Sequence, residues 1–88
     1  MASMTAEEIL KLLHTELARP ELTVEALGAS TPREVLGDDS LDYIEVVAVL
    51  EEKLGIELDL QRLGPVLARG TFAELATEVS RGLAAQGG

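Results

Sequence analysis

In the run Gly37-Asp38-Asp39-Ser40-Leu41-Asp42-Tyr43-Ile44-Glu45, one hydroxyl stands among four carboxylates. Nucleophilic catalysis by Ser40 would need a base to take its proton and donors to hold an oxyanion. The only histidine, His14, falls in a different helical segment, and the surrounding carboxylates would destabilise an oxyanion. Two roles suit the hydroxyl better. It can cap the helix whose apolar pattern starts here, as serine commonly does at an N-terminus. It can also be displayed for modification by another protein that brings its own catalytic groups. Asp39 could cap equally well, which would leave Ser40 available for the second role.

Other chemistry finds little support. Asp38, Ser40 and Asp42 alternate like the first ligands of a calcium-binding loop. However, Tyr43 stands at the sixth position, where such a loop needs glycine, and Val49 at the twelfth, where it needs a bidentate glutamate. His14, between Leu13 and Thr15, reads as a surface or boundary residue. The chain has no cysteine, so thiolate zinc sites, disulfides and cysteine nucleophiles are excluded, and any thiol chemistry would need an imported thiol. Nothing in the pattern of glutamates supports general acid–base work.

The charge is uneven. Seven bases against sixteen acids give −9, and the segment 38–59 holds eight acids to one base, Lys53, so −7 of the −9 lies in a quarter of the chain. That disfavours nucleic acid and anionic membrane as partners and favours a basic protein surface. No apolar run approaches the roughly 18 residues of a membrane span. The opening MASMTAEE is polar and acidic rather than signal-like, so the expected location is the cytoplasm. At 88 residues the chain is expected to form a single domain over 1–88 with one modest core.

Helices must position these groups. Thr5-Ala6-Glu7-Glu8 is a capping box, with Met4 and Ile9 as a hydrophobic staple, so helix I is expected over about 5–18 and ends before Arg19-Pro20. Residues 19–38, with Gly28, Ser30, Thr31 and Pro32 as breakers, read as a long loop pinned by Leu22, Val24, Leu27, Val35 and Leu36. Helix II is expected over about 40–54. A short helix is expected over about 59–68, with Asp59 capping its first part and Gly64-Pro65 breaking any single helix through it. Thr71-Phe72-Ala73-Glu74 is a second capping box, opening a last helix over about 71–84 before a frayed Gly87-Gly88 tail.

At about 100° per residue, Tyr43, Val46, Val47, Leu50 and Leu54 share one arc of helix II, enough to face a core. The opposite arc holds Leu41, Glu45, Ala48 and Glu52, with Asp42 and Val49 on one flank and Ile44 and Glu51 on the other. An exposed face mixing apolar residues with acids suits docking, where apolar area supplies affinity and charge supplies steering.

The run Leu36-Gly37-Asp38-Asp39-Ser40-Leu41-Asp42, continued by Ile44-Glu45-Val46-Val47 and by Leu50 to Ile56, resembles the attachment motif and second helix of the acyl carrier protein family. Thr71-Phe72-Ala73-Glu74-Leu75 matches the start of that family's last helix. The resemblance spans about residues 5–84. It implies an all-α fold, a small acyl-carrier-like bundle of three main helices plus a short helix before the last one. It implies that Ser40 bears a covalent 4′-phosphopantetheine, transferred from coenzyme A by a phosphopantetheinyl transferase, on which acyl intermediates ride as thioesters while the carrier itself catalyses nothing. By matching positions, Asp38, Asp39, Leu41, Asp42, Ile44, Glu45, Ala48 and Glu52 are the expected recognition residues. The implied partners are an acyl-loading ligase or acyltransferase and a ketosynthase or other synthase enzyme with a basic docking patch, met by a carrier that is a monomer alone. The acid-rich motif favours an acyl carrier of polyketide, fatty acid or antibiotic biosynthesis over a peptidyl carrier of a nonribosomal peptide pathway. An acidic helical adaptor without a prosthetic group is the alternative of a different class.

Overall fold

The computed structural model describes residues 4–37 and 40–87, the side chains of 40–42 and 86–87 apart. Six helices follow one another: α1 (Ala6–Leu17), α2 (Val24–Ala29), α3 (Pro32–Leu36), α4 (Ser40–Leu54), α5 (Leu60–Arg69) and α6 (Phe72–Gly87). Among the described residues there is no strand, so the fold is the all-α bundle that the resemblance implies.

Local sequence explains most helix ends. Thr5 caps α1: its hydroxyl accepts from the Glu8 N–H, and the Glu8 carboxylate accepts from the Thr5 N–H at 3.1 Å. The same reciprocal pair, Thr71 with Glu74, opens α6. Gly55, at φ 67°, stops α4 in the left-handed region, where a side chain would be strained, and its N–H donates to the Glu51 carbonyl at 2.8 Å.

Three expectations need correction. The segment 19–38 is not one long loop, because it contains α2 and α3. Thr31 and Pro32, read as breakers, are helix-starting signals: Thr31 forms a capping box with Glu34, and Pro32 sits in the first turn, where its missing N–H costs nothing. Thr23 likewise caps α2 by accepting from the Ala26 N–H. The second correction concerns Gly64-Pro65, which does not break α5. Pro65 cannot donate to the Gln61 carbonyl, but both residues are exposed, so water can satisfy that oxygen. The third is α6, which runs on through Gly87 past the expected end near residue 84, carried by the strong helix formers Ala84 and Ala85.

The core draws on five helices: Ile9 and Leu13 of α1, Leu27 of α2, Val46, Val47 and Leu50 of α4, Leu63 and Leu67 of α5, and Phe72, Leu75, Ala76 and Val79 of α6. Among the described residues no polar or charged side chain is buried. α6 packs chiefly along α1, and the Ser80 hydroxyl reinforces that pair by donating to the Met4 carbonyl at 2.8 Å. The start of α6 is tied to the end of α2, where the Phe72 N–H donates to the Ser30 carbonyl at 2.9 Å. α2 lies close on α1 because Gly28 has no side chain, and a Cβ there would come within 2.7 Å of Leu10 Cδ2.

The proline within α5 gives the first testable consequence. Replacing it restores a backbone donor, which favours the helix by about 3 kcal/mol, while the freer unfolded chain offsets about 1 kcal/mol of this. Pro65→Ala is therefore expected to raise stability by about 2 kcal/mol, read as a higher urea midpoint with an unchanged denaturant slope. A lower midpoint would contradict this account of α5.

Candidate functional site

α4 positions the residues singled out by the sequence. Ser40 is its first residue, Leu41 and Asp42 follow in its first turn, and Asp38 and Asp39 lie outside the described residues. The buried stripe of α4 is Val46, Val47 and Leu50, with Tyr43 and Leu54 half-buried beside it. The opposite side is open. Ile44 is 54% exposed, and Glu45, Ala48 and Glu52 are exposed. Ile44 is therefore not covered by the preceding segment, although an apolar residue at that point could have been. Val49, on the flank, is half-buried and lines a groove of about 210 Å³ with Leu13 and Leu17 of α1 and Leu36 of α3.

The charges on α4 and just beyond it separate into engaged and open groups. Lys53 reaches across to α1 and pairs with Glu16 at 3.5 Å, so the only base of this segment is turned towards the chain's own body. Glu51 accepts from the Leu58 N–H at 2.8 Å and braces the turn after α4. Asp59 caps α5 by accepting from the Gln61 N–H at 3.0 Å. Glu45 and Glu52 have no ion-pair partner among the described residues. The open face of α4 thus presents acid and apolar area together, while Lys53 turns to Glu16 of α1.

The hydroxyl groups sort in a similar way. The chain has ten serine and threonine residues. Thr5, Thr23, Thr31 and Thr71 accept first-turn N–H groups as helix caps. Thr15, Ser30 and Thr77 donate to carbonyls four residues back, and Ser80 donates to Met4. Every hydroxyl of this kind whose side chain is described is therefore committed to the backbone. Ser3 and Ser40 are the remaining two. A serine supplies the chemistry that a phosphodiester-linked group needs, a primary alcohol, and Ser40 stands at the head of α4.

Two contacts were not anticipated. The Tyr43 hydroxyl donates to the Gly37 carbonyl at 2.5 Å, across the segment that contains Ser40. Sequence reasoning assigned Tyr43 only to the core arc. The available signal was its amphipathic character, since a phenol on the edge of a buried stripe keeps its hydroxyl at the surface, seeking a partner. His14, half-buried, donates from Nε2 to the Leu22 carbonyl at 2.5 Å and pins the α1–α2 connection. That bond gives the boundary histidine a structural task.

A hollow of about 680 Å³ lies at the far end of α4 around Gly55, Ile56 and Leu58. At 1.5 Å per residue this is roughly 22 Å from Ser40 along the helix. It does not serve the region where the sequence gathers its chemistry.

Residues 7–79 match the family model described as the phosphopantetheine attachment site. The matched span includes Ser40 and leaves out Ser3 and Ser80. No curated protein and no solved structure matches the chain.

Proposed function

Because the chain belongs to the phosphopantetheine attachment family, whose members carry a covalent 4′-phosphopantetheine, we propose that Ser40 is the residue that bears the group and that the protein carries acyl intermediates between enzymes. When bound, the group supplies the thiol that a chain without cysteine lacks. The observation that carries the assignment is the state of the other hydroxyls. Within 7–79 each serine or threonine with a described side chain is held by backbone, which leaves Ser40 at the start of α4. Its work is to offer an oxygen nucleophile to a phosphopantetheinyl transferase that draws on coenzyme A and a divalent metal. The carrier performs no further chemistry.

The acid-rich Leu36-Gly37-Asp38-Asp39-Ser40-Leu41-Asp42 supports an acyl carrier of polyketide or fatty acid type biosynthesis rather than a peptidyl one. It works in the cytoplasm as a monomer, loaded by a ligase or acyltransferase and read by a ketosynthase or other synthase enzyme. Asp38, Asp39, Leu41, Asp42, Ile44, Glu45, Ala48 and Glu52 are the residues that partners read. The deciding experiment is mass spectrometry after incubation with coenzyme A, magnesium and a broad-specificity transferase. One phosphopantetheine is expected, located by fragmentation on the peptide that contains Ser40. A folded protein left unmodified by several transferases would favour the adaptor instead.

The open acids give a second prediction. Glu45→Lys combined with Glu52→Lys places bases where basic partners approach. At low salt, kcat/KM for the transferase is expected to fall on the order of 10- to 100-fold. The gap should narrow as salt rises, because the Debye length shrinks from about 10 Å at 0.1 M to about 3 Å at 1 M. Both side chains are exposed and have no ion-pair partner among the described residues, so the melting temperature should barely move. Equal transferase kinetics for variant and wild type at low salt would remove these two acids from the recognition face.

A further inference from the structure

Gly37 ends α3 at φ 81°, a left-handed value that a side chain would strain, and its N–H donates to the Arg33 carbonyl at 2.9 Å. Its carbonyl is taken as well, by the hydroxyl of Tyr43 at 2.5 Å. Both polar groups of Gly37 are therefore engaged, one by α3 and the other by the first turns of α4. Five residues lie between the ends of the Tyr43 bond, and Ser40 is the middle one. The phenol thus ties together the two ends of a stretch of chain whose central residue is Ser40.

We propose that Tyr43 is a positioning residue for the modification of Ser40, tying the end of α3 to α4 so that the segment bearing the hydroxyl meets the transferase in one arrangement. This inference rests on Ser40 being the acceptor. Without the bond, the junction between α3 and α4 samples more conformations, and a transferase must order it on binding. That cost is the same in the bound ground state and the transition state, so it raises KM and leaves kcat nearly unchanged. No other phenol can substitute, because the chain holds a single tyrosine and no tryptophan. The alternative role for Tyr43, packing of its ring on the half-buried edge of α4, would be met equally well by phenylalanine.

Tyr43→Phe and Tyr43→Leu separate the two roles. For Tyr43→Phe the KM for the carrier in the transferase reaction is expected to rise about three- to tenfold, the scale of one net hydrogen bond, with kcat within about twofold of wild type. Tyr43→Leu should match it. In the unmodified protein, amide hydrogen exchange in Tyr43→Phe should quicken at residues 38–43 while the amides of α1 and α6 keep their protection. A Tyr43→Phe protein with wild-type KM and wild-type exchange overturns the inference, as does a KM raised only by leucine. A wild-type protein that gains no mass overturns the Ser40 assignment itself, and the inference with it. A modified wild type beside an unchanged Tyr43→Phe overturns the inference alone.

Discussion

Ser40→Ala is expected to gain no mass from coenzyme A under conditions that convert the wild type fully, while remaining folded. The loss should be complete rather than partial, because the reaction forms its bond through the serine oxygen and alanine has none. No neighbour can stand in. The hydroxyls of Thr31 and Ser30, nearest in the preceding segment, serve Glu34 and Ala26, and Tyr43 serves Gly37. The fold should tolerate the change. Ser40 is the first residue of α4, where losing a capping hydroxyl typically costs about 1 kcal/mol, and alanine is the best helix former. For a domain of this size that is a shift of about 4–8 °C in melting temperature. Intact mass and a thermal melt on the same sample check both halves. A Ser40→Ala protein that still gains one phosphopantetheine would move the attachment elsewhere, with Ser3 the first residue to test.

Helices with a strong period or a capping box could be read directly from the chain. Thr5-Ala6-Glu7-Glu8 and Thr71-Phe72-Ala73-Glu74 each supply two reciprocal hydrogen bonds within four residues, so the information is local. The buried stripe of α4 was readable for the same reason, since Val46, Val47 and Leu50 recur at the helical period. α2 and α3 were missed because six and five residues are too few to display a period, and because threonine before proline signals both a turn and a helix start. What decides between them is tertiary: Leu27 is fully buried and Pro32 packs inside, so the short helices are held by the bundle rather than by propensity. Pro65 shows the reverse. Propensity argued for a break, and exposure of the orphaned carbonyl allows the helix to continue. At the site, the sequence pointed to Ser40 and to the acids of α4, but not to the pairing of Lys53 with Glu16 or of Tyr43 with Gly37. Those bonds join residues whose proximity depends on how α1, α3 and α4 come together.

Two apolar residues of α4, six positions apart, should behave oppositely, and that contrast tests how the helix divides its faces. Leu50 is fully buried and Ile44 is 54% exposed. Leu50→Ala removes the most deeply buried anchor of the helix that carries the site. Such truncations cost about 3–5 kcal/mol when the cavity cannot collapse. Against a total of about 5–15 kcal/mol, near the lower end for a chain this short, this is a large share of the stability. A fall in melting temperature of roughly 12–25 °C is expected, with modification by the transferase lost as the protein unfolds and recovered on cooling. Ile44→Ala removes side-chain atoms that already meet water, so its effect on melting should stay within about 0.5 kcal/mol. Its cost should appear in binding, as a raised KM for enzymes that read the α4 face, because that apolar area becomes buried only when a partner covers it. Comparable destabilisation by the two substitutions would mean that Ile44 is packed within the chain, and α4 would then lose its main apolar contact for a partner. A stable Ile44→Ala protein with impaired transfer, beside an unstable Leu50→Ala protein that transfers normally when cold, would show one helix holding the fold with one face and meeting enzymes with the other.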